Sequence, residues 1–142
     1  MRTGKEILSA ILKTTQTGQT DIRNVLDSSM RPSLRKALES QLQEYNTIEN
    51  EAHYLASQRG WDLREPDPAM RMITDISIKL RLRRSPSDSK IADMMIQRNT
   101  RDMIRGLKYI HQFPDADDQI NILSQKLLDC ETANIRQMQS FL

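Results

Sequence analysis

The chain has 142 residues, 21 basic against 19 acidic, with a net charge of +2. That length suits one domain over residues 1–142, which buries roughly 68–70% of the surface its unfolded form exposes and so needs neither disulfide nor metal for a core. The near-balance of charge excludes a global pull toward nucleic acid or anionic lipid, and no apolar run approaches the ~20 residues of a membrane span. One cysteine, Cys130, and no apolar secretory segment at the N-terminus point to a reducing, cytoplasmic setting.

Four Gly, five Pro and few aromatics, beside many Leu, Ile, Met, Gln and Arg, favour an all-α chain. The eight methionines read as adaptable core filling. Thr3-Gly-Lys-Glu6 has the spacing of a capping box, and the first helix is expected over 4–28. Ile7, Leu8, Ile11 and Leu12 form its first apolar patch, and Ile22, Val25 and Leu26 its last. The polar stretch Thr14 to Thr20 lies between two patches in phase, so it reads as a polar layer, with Gly18 allowing another backbone to approach.

Pro32 suits the first turn of a second helix over 32–59. Its seam is Leu34, Leu38, Gln41, Tyr45, Ile48, Ala52 and Leu55, the spacing of a helix packed nearly antiparallel to its neighbours. Gly60 supplies a left-handed stop, with Trp61 folding back on the last turn. Asp67-Pro68 opens a shorter helix over 68–83 with Met70, Ile73, Ile76 and Leu80 on one face. Ser85-Pro86 then starts a third long helix over 86–112, Ser85 as its cap and Asp88 in its first turn. Its stripe is Ala92, Met95, Ile96, Met103, Leu107 and Ile110, with Gln97 and Thr100 in the middle. Phe113-Pro114 ends it, and Asp115, Asp117 and Asp118 open a fourth helix over 116–141 at the correct end of its dipole. There Ile120, Leu123, Leu127, Cys130, Ile135, Met138 and Phe141 keep helical spacing, interrupted by Glu131 and Asn134.

Short connections make the first and second helices, and the third and fourth, antiparallel pairs. The connection between the pairs is about 25 residues and holds a helix of about 22 Å, long enough to carry the chain back along the bundle. The order is then up-down-down-up with one crossover; a simple up-down bundle with the short helix docked at one end is the alternative. Lys5-Glu-Ile-Leu8, Glu44-Tyr45 with Glu51-Ala52, Gly60-Trp61 and Glu131-x-x-Asn134 carry a resemblance to small bacterial ferritin-like proteins of unknown function, related in pattern to the spore-coat type. It spans the whole chain as architecture and spacing. The resemblance implies a ferritin-like antiparallel four-helix bundle with an additional short helix in the crossover.

In di-metal bundles of that kind, two helices each give a Glu and the other two each a Glu-x-x-His. Counted from the turns, Gln16 matches Glu44 in height, and Gln97 and Glu131 are both 17 residues from Pro114. The expected layer is Gln16, Glu44, Gln97 and Glu131, with Thr47 and Asn134 where histidines would stand. His53 lies roughly 13 Å along its helix from Glu44 and His111 roughly 21 Å from Gln97, too far to share a first shell. Amides can satisfy Glu44 and Glu131 without a cation, so no cofactor is expected. The alternative is a weakly held divalent metal ion on Glu44 and Glu131 with Gln16, Gln97 and Asn134 around it.

Lys79, Arg81, Arg83 and Arg84 form the basic cluster; interleaved leucines and no aromatics make it a solvated surface patch, and nucleic acid is not an expected partner. Cys130, on the apolar stripe, reads as an inert buried thiol. There is no phosphate loop, Cys/His motif or nucleophile elbow, hence no catalytic residue to name. The sequence therefore points to a non-catalytic bundle that self-associates, as a dimer or larger homo-oligomer, or binds a protein partner, with weak divalent-metal binding as the alternative.

Overall fold

The polar middle of the first helix does not break it. In the computed structural model, which describes residues 2–63, 86–112 and 117–142, α1 runs without interruption over Arg2–Leu26. The Thr15 hydroxyl donates to the Ile11 and Leu12 carbonyls at 2.9 and 3.0 Å, and the Thr20 hydroxyl to Gln16 O at 3.0 Å. Back-bonding of this kind satisfies a hydroxyl inside a helix and removes its competition with the helical ladder. The helix is already formed at Arg2, ahead of Thr3.

The described residues hold three further helices and no strand: α2 (Pro32–Gln58), α3 (Asp88–Gln112) and α4 (Asp118–Gln139). Pro32 stands in the first turn of α2 as expected, and Arg35 closes the α1–α2 turn by donating to the Leu26 and Ser28 carbonyls at 2.9 and 3.2 Å. At the other end Gly60 has φ +66°, Trp61 N–H donates to Ala56 O at 2.9 Å and Gly60 N–H to Ser57 O at 3.2 Å. That pair of bonds is the Schellman stop which the Gly60-Trp61 dipeptide announces.

The start of α3 differs from expectation. Ser87 caps it: its hydroxyl accepts from Lys90 N–H at 3.1 Å, its carbonyl accepts from Ile91 N–H at 2.9 Å, and Pro86 stays outside the helix, while Ser85 lies outside the described residues. A serine three residues before a helical N–H suffices for the cap. Asp117 caps α4 by accepting from Ile120 N–H at 3.0 Å; Arg59 and the Ile120 and Gln119 N–H groups hold its carboxyl below the usual range, outweighing its slight burial.

Cross-helix contacts fix the directions. Arg31 at the start of α2 pairs with Asp88 at the start of α3 at 2.7 Å, and Tyr45 meets Asn99 further along both, so α2 and α3 are parallel. Arg59 at the end of α2 pairs with Asp117 at 2.8 Å, and Gln41 near its start donates to Gln137 Oε1 at 2.8 Å, so α4 runs opposite to α2. The order is up-down-down-up. The expected helix over 68–83, with its apolar face, lies outside the described residues.

The core is a continuous column of Ile7, Leu8, Ile11, Leu12, Ile22 and Val25 from α1, the whole expected seam of α2, Ile91, Ala92, Met94 and Met95 from α3, and Ile120, Leu123, Leu127, Cys130 and Met138 from α4. Complete burial of side chains such as Leu8, Leu38 and Ile120 stabilises the fold by about 1.5–3 kcal/mol each. The stripe of α3 is where expectation and structure part. Leu107 and Ile104 are exposed, Ile96 is half-buried, and Arg98 and Asn99 are buried instead. Among the described residues no helix is long and apolar enough to cross a membrane.

Candidate functional site

The polar layer exists, but two of its four helices are turned by one residue from the expected arrangement. Gln16, Glu131 and Asn134 are buried in it, whereas Glu44, Thr47 and Gln97 are exposed. Gln97 donates outside the layer to Asp93 Oδ1 at 2.8 Å. The inward positions belong to Tyr45 and Arg98. One residue is about 100° of rotation on a helix, enough to take a side chain from core to solvent.

Arg98 fills the centre with only 3% of its side chain exposed. Its Nε lies 2.7 Å from Asp21 Oδ2 of α1, and Nη2 lies 3.0 Å from Asp102 Oδ2 one turn along α3. Nη2 also donates to Thr14 O at 3.1 Å and Nη1 to Tyr45 Oη at 3.2 Å, while the guanidinium carbon sits 5.4 Å from the Tyr45 ring centroid. The Asp21 and Asp102 contacts bring the charges together without good N–H direction, so they act as ion pairs more than as aligned hydrogen bonds. Burial alone would favour a neutral Arg98; the negative charges of Asp102 and Asp21 beside it outweigh that and hold it charged. A buried charge must be compensated, and two carboxylates do so here.

Gly18 makes the room. A Cβ there would stand 2.6 Å from Arg98 Nη2 and 3.0 Å from Tyr45 Cε2. The close approach expected at Gly18 is therefore by a guanidinium and a ring, not by a backbone.

Glu131 is the fourth charge-bearing group. Its Oε2 lies 2.9 Å from Tyr45 Oη, which is also 2.8 Å from Asn99 Oδ1. One phenol proton cannot serve two acceptors. Two arrangements reconcile the contacts: a protonated Glu131 donates to Tyr45 Oη while Tyr45 donates to Asn99, or the Asn99 amide turns so that its otherwise unpartnered Nδ2 donates to Tyr45 Oη and the phenol donates to Glu131. Burial pushes the Glu131 carboxyl up from 4.5 to about 8, with Asp102 adding to the rise and Arg98 and Tyr45 opposing it. Burial likewise raises the Tyr45 phenol and, opposed by Arg98, Arg105 and Arg101, the Asp102 carboxyl. Burial raises the Cys130 thiol too, and Glu44 and Glu131 add to that, so Cys130 stays a thiol.

Beside the layer, between α1, α3 and α4, is a partly enclosed cavity of about 30 Å³ with Ile7, Ile11 and Leu127 among its walls and Thr14, Ser124 and Glu131 among its polar lining. Among the described residues Ser124 Oγ and Glu131 Oε1 have no hydrogen-bond partner. No group of three or more His, Cys, Asp or Glu side chains suited to a metal ion occurs among the described residues. His111 is exposed and His53 half-buried. The basic cluster Lys79, Arg81, Arg83 and Arg84 lies outside the described residues.

Residue counting missed Arg98, Asp21 and Asp102, because an arginine and two aspartates score as surface. Two signals were present. Tyr45 belongs to the apolar seam of α2, which turns Glu44 away; and Arg98 and Asp102 are an i, i+4 pair in phase with Ile91 and Met95.

The fold has a counterpart among solved structures. A crystal structure of a DUF305 fragment from Deinococcus radiodurans superposes with a TM-score of 0.78, covering 99% of this chain and 95% of that one at 13% identity. The likeness is one of fold. Neither a family model nor a curated protein matches the chain.

Proposed function

We propose that the chain is a non-catalytic, ferritin-like binding module that associates with itself through the outer side of α3. The observation that carries the non-catalytic reading is Arg98: the polar layer where a di-metal bundle would hold its ions contains a guanidinium ion-paired to Asp21 and Asp102. A fixed buried cation opposes a second positive charge in the same place. The parallel α2–α3 and antiparallel α2–α4 directions support the ferritin-like reading. The crossover helix, a single domain over 1–142 and a cytoplasmic location are parts of the same proposal; the buried Cys130 thiol suits a reducing compartment.

Self-association draws support from Ile104 and Leu107, 47% and 41% exposed on the side of α3 opposite Arg98 and Asp102. Apolar residues of this size at i, i+3 spacing give a helix an outward stripe that a second copy can cover. The alternative, a weakly bound divalent ion on Glu44 and Glu131, has less support because Glu44 is exposed while Glu131 is buried.

Elemental analysis of protein loaded with Mn²⁺ and desalted, with light scattering on the same sample, tests both parts. The proposal expects a dimer or larger species without stoichiometric metal, and a monomer for Ile104→Glu combined with Leu107→Glu. One ion per chain, lost in Glu131→Gln, would establish the metal alternative, and a monomeric wild type would end the self-association reading.

A further inference from the structure

Two exposed stripes of this chain carry opposite charge around an apolar centre. On α3, Arg101, Ile104, Arg105 and Lys108 fall at i, i+3, i+4 and i+7, all exposed, with Leu107 beside them. Asp102, the one acid of this stretch, is turned inward to Arg98. On α4, Asp118, Ile122, Gln125 and Asp129 fall at i, i+4, i+7 and i+11, again all exposed, with Ile122 67% open to solvent. Gln125 Nε2 donates to Asp129 Oδ1 at 2.9 Å, and the neighbouring cation Lys126 is held by Glu51 of α2 at 2.6 Å. The α3 stripe is therefore cationic and the α4 stripe anionic.

Their spacings match in one direction. Lys108 lies four residues after Ile104 and Asp118 four residues before Ile122, about 6 Å along the helix in each case. Laid antiparallel with Ile104 on Ile122, the stripes bring Lys108 to Asp118 and set Arg101 level with Gln125, one turn from Asp129. Within one molecule they stand at different heights. Thr132 Oγ1 donates to Met103 Sδ at 3.5 Å, and a Cβ on Gly106 would stand 3.1 Å from Leu128, so Ile122 is level with the end of α3, about 13 Å from Ile104. A two-fold pair does not match them either. A dyad across the bundle sets α3 on α3 and gathers the Arg101, Arg105 and Lys108 cations of both copies. A dyad along the bundle leaves every residue at its own height, with Ile104 still about 13 Å from Ile122.

We propose that the α3 stripe docks on the α4 stripe of a second copy, in a heterologous contact that repeats from copy to copy. The contact rests on the self-association reading and supplies the surface that meets α3. Ile104 and Leu107 pack on Ile122, and the charges at their rim set direction and register. Each copy is displaced by about 13 Å along the bundle from the one before it. A displacement of that kind keeps the contact from closing into a pair or a ring, and it builds an open chain of copies.

The test is sedimentation of the full chain from micromolar to millimolar concentration, at low and high salt. The expected result is a mean mass that climbs with concentration without levelling off at a dimer, the association weakening about tenfold at high salt. Ile122→Glu is monomeric, and so is Ile104→Glu combined with Leu107→Glu. Mixed together, these two monomers form a one-to-one heterodimer and nothing larger, because each keeps one intact stripe. Their heterodimer also shows that both variants fold. Lys108→Glu weakens association about tenfold, and adding Asp118→Lys to the same chain restores it. A mass that levels off at a dimer, association unchanged by Ile122→Glu, no heterodimer from the mixture, or no recovery in the charge-swapped chain overturns this contact while self-association through α3 stands. A monomeric wild type ends both.

Discussion

The Arg98 guanidinium and the Asp21 carboxylate meet at 2.7 Å between α3 and α1, both side chains at most 4% exposed. Charges buried this deeply are not left over from surface chemistry. Removing one partner leaves the other uncompensated, and that penalty exceeds what the pair contributes to stability relative to a well-packed apolar substitute.

Arg98→Ala should therefore destabilise the fold by about 3–5 kcal/mol, since Asp21 and Asp102 lose their counter-ion together. Arg98→Lys should recover only part of the loss. A point charge with one nitrogen cannot reach Asp21, Asp102, Thr14 O and Tyr45 at once. Urea unfolding of the two variants beside wild type measures both effects; an Arg98→Ala cost under about 1 kcal/mol would mean the cluster contributes little.

Gly18→Ala should invert the usual helix rule. In a solvated helix this change stabilises by about 0.8–1.0 kcal/mol. Here the new methyl group meets a guanidinium held by two carboxylates and a carbonyl, and a cost of about 1–3 kcal/mol is expected. In an Arg98→Ala background the nearer obstacle is gone and only the Tyr45 ring at 3.0 Å remains, so the cost of Gly18→Ala should shrink. A double-mutant cycle from denaturant melts reads the coupling directly, and additive effects would refute it.

Glu131 makes stability depend on pH with a definite sign. Its carboxyl titrates near 4.5 in the unfolded chain and near 8 in the folded one. Below 4.5 it is protonated in both states, and stability there does not vary with pH through this group. Between the two values the folded state holds the extra proton, so stability falls as pH rises, by roughly 1.4 kcal/mol per pH unit from this group. Above 8 the loss is complete and constant. Glu131→Gln has no such proton, so its unfolding free energy relative to wild type should climb between pH 5 and pH 8. A flat difference over that range would show that Glu131 is ionised in the native protein.

Most of the architecture was legible because it rests on apolar periodicity and end signals. The α2 seam from Leu34 to Leu55 is buried at every expected position, and Gly60-Trp61 makes the stop it announces. The height of the polar layer was legible too, through Gln16, Glu131 and Asn134. Its composition was not. Turn counting gives height along a helix but leaves rotation uncertain by a residue, and one residue separates Glu44 from Tyr45 and Gln97 from Arg98. Charge was the second obstacle: on α3 the buried residue at the centre is an arginine, which any hydropathy reading assigns to solvent. The Ser87 cap was missed for a simpler reason, two serines flanking one proline.

The central claim is that Arg98 takes the place a metal ion would occupy. Thermal unfolding of wild type and Arg98→Ala, each with and without millimolar Mn²⁺, tests it most directly. The account predicts an unchanged midpoint for wild type and a raised one for Arg98→Ala, whose Asp21 and Asp102 are left without their counter-ion. A wild-type midpoint raised by Mn²⁺ and returned to the metal-free value by Glu131→Gln would contradict it.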